Sequence, residues 1–221
     1  MRKIEAVIFD MDGLMFDTEK IYFASGTQAS KELDMDYSFD VYSKFIGAGY
    51  QEEFDGMLEI YGDEELLTRY FNRVGGLVRD SLLNGPVDKM EGLIELLDYL
   101  KAEGITAVVA SSTHRELVDK LLDRLGVSSY FKDVVGGDEV PNAKPDPAIF
   151  NLAFEKTGIA SKENTLVLED SKNGLLSANA AAIPVIWVPD LLEPTDEMRA
   201  LATETLPDLH AVIQYIEEKN K

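Results

Sequence analysis

Two aspartates one residue apart, Asp10 and Asp12, follow an apolar run in "AVIFDMDG", and Gly13 closes the stretch. Carboxylates this close raise each other's pKa and cost stability unless a cation holds them. Other segments carry compatible groups: Ser111 and Ser112 in "ASST", Lys144 in "AKPDP", and Glu169 with Asp170 in "VLEDS". Carboxylates without cysteine or histidine companions suit a hard divalent ion such as Mg2+, which takes oxygen ligands and retains waters. Such an ion can hold a phosphate oxygen and neutralise charge that develops during phosphoryl transfer.

These groups need elements to carry them to one place. Val7, Ile8 and Phe9 form a short continuous apolar run, as in a strand buried on both faces. Similar runs occupy 105–110, 165–169 and 183–188, with a weaker one at 131–135. Between them Leu93, Leu96, Leu97 and Leu100 line one helical face before Gly104. Leu117, Leu121, Leu122 and Leu125 do the same before Gly126. A third helix is expected from Asp146 as N-cap and Pro147 at the first helical position to a stop at Gly158.

This alternation predicts an α/β fold, a doubly wound parallel sheet with helices on both faces. Ligands bind such sheets at the carboxyl ends of the strands. That is where Asp10, Asp12, Ser111, Ser112, Glu169 and Asp170 fall. Residues 19 to 83 read as helical throughout, and 84–89 as a connector. The expected organisation is therefore a core domain of 1–16 and 87–221 interrupted by a small helical domain of 17–86.

Composition narrows the chemistry. The 221 residues hold 41 Asp and Glu against 21 Lys and Arg, a formal net charge of -20. That balance repels nucleic acid and anionic membrane surfaces. An anionic substrate would need positive charge supplied locally, by a metal or a single lysine. Absence of cysteine excludes disulfides and a thiolate nucleophile. The apolar stretch at the N-terminus is too short for a signal-peptide core, and the cytoplasm is the expected compartment. His114 and His210 are the only histidines and no G-x-S-x-G occurs, which argues against a serine hydrolase. Neither a Walker A motif nor a dinucleotide fingerprint is present.

Taken in order, "FDMDG", "ASST", "AKPDP" and "VLEDS" resemble the four motifs of the haloacid dehalogenase superfamily, in particular its phosphatase and β-phosphoglucomutase-like members with a helical cap. The resemblance spans the whole chain. It implies Asp10 as the nucleophile that forms an aspartyl-phosphate, and Asp12 as the acid that protonates the leaving oxygen and then the base that activates water. It implies Mg2+ held by Asp10, the Asp12 carbonyl and Asp170, with Glu169 a direct ligand or one shell out. Ser111 and the Ser112 amide would bind phosphoryl oxygens, and Lys144 would pair with phosphate and Asp10. The two aspartates answer conflicting demands, since a nucleophile must be ionised while an acid must hold a proton.

The function expected from the resemblance is Mg2+-dependent hydrolysis of a small phosphorylated metabolite by a monomer that binds neither nucleic acid nor membrane. A β-phosphoglucomutase-type mutase is the alternative, and a non-catalytic phosphate-binding protein a weaker one. In β-phosphoglucomutases a histidine and a cap arginine assist the second phosphate. The matching positions here hold Tyr22 and Tyr50, neither of which carries positive charge, and this favours hydrolysis. The aspartate at position 12 points to phosphate esters, because dehalogenases and phosphonate-cleaving members lack it.

Overall fold

A computed structural model describes residues 3–190 and 195–221. The chain divides into two compact units, one of Met1–Phe16 with Lys89–Lys221 and the other of Asp17–Asp88.

The first unit is built on six parallel strands: β1 (Ala6–Phe9), β2 (Thr106–Ser111), β3 (Asp133–Gly136), β4 (Thr165–Glu169), β5 (Val185–Trp187) and β6 (Glu204–Thr205). Their spatial order is β3-β2-β1-β4-β5-β6. β1 thus lies between β2 and β4, where the winding reverses. In such a sheet this switch point is the place for a ligand, and Asp10 leaves β1 there. All four β1 side chains are fully buried, which is why this strand reads as a continuous apolar run. On one face Ile8, Val108, Ala110 and Val167 pack against Ile149 and Phe150 of α7 (Ala148–Thr157) and Leu175 of α8 (Lys172–Ala180). Each large side chain removed from water here contributes roughly 1.5–3 kcal/mol.

α5 (Leu93–Glu103) buries its four leucines and stops where Gly104 turns left-handed at φ 68°. α7 starts one residue later than its sequence predicts. Pro147 occupies the N-cap, and Asp146 serves the helix from the preceding position, its Oδ1 accepting from Ala148 N at 2.9 Å. β6 was not expected. It has two residues, too few for any periodicity, and exists through its pairing of Glu204 and Thr205 with Ile186 and Trp187 of β5.

The second unit holds α1 (Glu19–Glu32), α2 (Phe39–Tyr42), α3 (Tyr50–Tyr61) and α4 (Glu64–Asn84). Its core gathers Ala29, Met35, Met57, Leu67 and Tyr70. Gly62 ends α3 in the left-handed region at φ 67°, and Asp63 caps α4 by accepting from Leu66 N at 2.9 Å. Among the described residues no helix is long and apolar enough to cross a membrane.

Candidate active site

The Asp10 amide donates to the Leu168 carbonyl of β4 at 3.1 Å, which fixes the residue at the sheet edge. Its carboxylate is bonded by the Lys144 ammonium. The same ammonium donates to Glu169 Oε1 at 2.7 Å and to the Ala110 carbonyl at 3.4 Å, and it lies 4.8 Å from the centre of the Phe150 ring. Lys144 is 8% exposed and Glu169 not at all. Buried charges survive only when paired and hydrogen-bonded, and these meet that condition. The second oxygen of Glu169 accepts from Asp170 N, Ser171 N and Ser171 Oγ, each at 3.0 Å. Ser171 in turn caps α8, accepting from Gly174 N at 3.1 Å.

Asp12 is held from the other side. Its Oδ2 accepts from Ser111 Oγ at 3.2 Å and from Thr113 Oγ1 at 3.0 Å. The chain then turns at Gly13, whose φ of 79° is open to glycine at little cost; a Cβ there would meet Asp170 Oδ2 at 2.3 Å. The Asp170 carbonyl accepts from the buried Trp187 indole N–H at 2.9 Å.

Among the described residues, the Lys144 ammonium bonds the carboxylates of Asp10 and Glu169, with those of Asp12 and Asp170 close by. Burial pushes the Asp10 carboxyl up to about 8, with Glu169 and Asp12 adding to the rise and Lys144 opposing it. Burial alone would lower Lys144, but the charges of Asp10 and Glu169 outweigh it and hold the amine well above its usual range. One carboxylate oxygen from each of Asp10, Glu169 and Asp170 lies within 4.8 Å of the others. A donor set of three carboxylate oxygens fits a hard divalent cation.

The fold brings together Asp10, Asp12, Ser111, Lys144, Glu169 and Asp170 from the ends of β1, β2 and β4 and the loop before α7. Ser112 follows with an exposed side chain in the loop between β2 and α6 (Arg115–Arg124). The histidines lie elsewhere, His114 beside Asp138 and His210 beside Glu95, each pair at 3.8 Å. Two further residues join the site: Thr113 of the "ASST" motif through its hydroxyl on Asp12, and the buried Trp187 through its indole on the Asp170 carbonyl.

The model of the haloacid dehalogenase-like hydrolase family matches residues 7–188. A phosphorylated carbohydrates phosphatase of Thermotoga maritima is 32% identical over 184 residues, 83% of this chain and 84% of the relative. Protein CbbY of Rhodobacter capsulatus is 28% identical over 228 residues, 95% of each chain. The crystal structure of CbbY from Rhodobacter sphaeroides in complex with phosphate superposes with a TM-score of 0.79 at 24% identity, over 93% of this chain and 95% of that one, a likeness of fold. With the four motifs gathered at one sheet edge and the family model covering most of the length, the chain belongs to the haloacid dehalogenase-like hydrolases.

Proposed function

We propose that this protein is a Mg2+-dependent phosphatase that hydrolyses a small phosphorylated carbohydrate through an aspartyl-phosphate on Asp10. The observation that carries the reading is the pairing at the sheet edge: one aspartate bonded by a buried lysine, and a second aspartate held two residues on by hydroxyls. The Asp10 carboxylate attacks phosphorus, and the bond to the leaving oxygen breaks as that oxygen takes the proton of Asp12. Water then attacks the phosphorus of the aspartyl-phosphate while Asp12 removes a proton from it. Inorganic phosphate leaves and the Asp10 carboxylate is restored.

Lys144 sets its charge against Asp10 and the incoming phosphate, and Ser111 with the Ser112 amide binds phosphoryl oxygens. Asp10, the Asp12 carbonyl and Asp170 would hold Mg2+, which when bound neutralises charge on the transferring group. Both oxygens of Glu169 are engaged by Lys144 and the start of α8, which supports a place for it behind the ligands. The substrate class follows the Thermotoga maritima relative, a phosphatase of phosphorylated carbohydrates by name.

A panel of sugar phosphates assayed for phosphate release tests the reading. Asp10→Asn should lower turnover by at least about 10³-fold with the fold unchanged, because it removes the nucleophile. Activity near wild type would refute the assignment. Supplying β-glucose 1-phosphate with a trace of glucose 1,6-bisphosphate separates hydrolysis from isomerisation. Rapid conversion with little free phosphate would establish a mutase instead.

A further inference from the structure

We propose that Thr113 is the positioning residue that aims the Asp12 carboxylate, and that the turn after β3 sets Thr113. The inference rests on the reading of Asp12 as the acid that protonates the leaving group. Two hydroxyls converge on Asp12 Oδ2, Thr113 Oγ1 at 3.0 Å and Ser111 Oγ at 3.2 Å. They are not equivalent. Ser111 is the group that phosphate recruits, so its hydroxyl has a competing partner once substrate arrives. Thr113 still donates to the same oxygen and holds Asp12 in its rotamer. Thr113 governs Ser111 as well, because its amide donates to Ser111 Oγ at 3.0 Å and leaves that hydroxyl's proton free to point at Asp12.

The backbone at 113 is braced from β3. The Gly137 amide donates to the Thr113 carbonyl at 3.0 Å, and Asp138 Oδ1 accepts from Arg115 N at 2.7 Å, so the loop is gripped on both sides of His114. Contact is so close that a Cβ on Gly137 would come within 2.2 Å of the Ser112 carbonyl oxygen. The turn is itself tied down. Glu139 Oε2 accepts from Gly136 N at 2.8 Å, and the Arg115 guanidinium reaches Asp133 at 2.9 Å and Glu139 at 3.2 Å. A side chain in the loop is thus aimed by residues more than twenty positions further along the chain, through hydrogen bonds that never touch substrate.

Orientation of an acid matters most when the leaving group is poor. The test is the slope of log kcat/KM against leaving-group pKa for a series of aryl phosphates, a readout that a purely structural defect would not tilt. Thr113→Val should lower kcat/KM about tenfold for phenyl phosphate and about twofold for p-nitrophenyl phosphate, in line with loss of one hydrogen bond. Thr113→Ser should restore the wild-type slope, and Thr113→Ala replaces the valine variant if that one does not fold. Asp138→Ala should steepen the slope about threefold across the series while Asp138→Asn, which keeps an acceptor oxygen, should not. Equal losses on every ester, or none, for the Thr113 variants overturn the proposal when Asp12→Ala does steepen the slope. If Asp12→Ala leaves the slope unchanged, the reading of Asp12 as acid falls and this proposal with it. A slope indifferent to Asp138→Ala removes the turn from the device.

Discussion

Both units draw carboxylates out of water, fully at the sheet edge and only in part in the helical unit, and they deal with the charge differently. At the sheet edge Asp10 and Glu169 keep an ammonium between them. In the helical unit the Glu19 carboxylate accepts from the Tyr42 hydroxyl, and burial, reinforced by the charge of Glu19, pushes Glu53 up to about 7. Burial likewise moves Tyr37 up to about 12 and raises Tyr42 and Tyr70 further. One region sets an ammonium against the rise at Asp10, while in the other burial and the charge of Glu19 together raise Glu53. Desolvating charge is expensive, and the sheet edge meets that cost with the ion pairs of Lys144.

Breaking the ionic side of this contrast should have the largest effect on stability. Lys144→Met leaves Asp10 and Glu169 facing each other without their shared cation, and should cost about 3–5 kcal/mol in urea unfolding. Adding Glu169→Gln should recover part of that loss, and strict additivity of the two substitutions would contradict the pairing. The cluster of Asp10, Glu169 and Asp170 predicts next that Mg2+ stabilises the protein. At one hundred times its dissociation constant the gain should be about 2.7 kcal/mol, seen as a rise in Tm that Asp170→Asn largely abolishes. A Tm indifferent to Mg2+ would remove the ion from the scheme.

The proton-holding side is sharpened by pH. With Glu53 titrating at about 7 in the folded chain against 4.5 ordinarily, the folded state binds the extra proton between those values. The contribution is fully present below about pH 4.5, declines as pH rises towards 7 and is absent above it. Glu53→Gln should therefore gain on wild type by on the order of 2 kcal/mol between pH 4.5 and 8. A constant difference between the two across that range would show that Glu53 does not hold a proton. The smallest effect concerns α4, where Gly75 and Gly76 are exposed and a Cβ on either would meet nothing within 4 Å. Alanine at each should add about 0.5–1 kcal/mol, read from thermal unfolding.

Much of this architecture is legible residue by residue. Four apolar runs, two leucine periodicities and one helix marked by its cap, proline and glycine predict β1, β2, β4 and β5 and the helices between them, because burial on both faces forces strands to be apolar throughout while helices need one stripe. Strand β3 is fainter in sequence, since only Val134 and Val135 among its four residues are apolar side chains in the core. β6 is not legible at all, as two partly exposed residues acquire their identity from β5. Pro147 suited the first helical position on local grounds, yet the helix starts after it with Asp146 reaching forward to its first amide.

The sequence by itself determined which groups could do chemistry and that they lie at strand ends, because residue type and local periodicity are properties of short segments. Only the tertiary structure decided how they are wired. Lys144 reaches Asp10 and Glu169 across separations of 134 and 25 residues, and Thr113 reaches Asp12 across 101. The sequence leaves Glu169 as either a ligand or one shell out; the fold puts three donors on one of its oxygens and Lys144 on the other. Trp187 looks like core and is core, while its indole N–H also pins the Asp170 carbonyl. Long-range hydrogen bonds leave no periodic trace along a chain, since each depends on two side chains that meet only after the sheet has set their register.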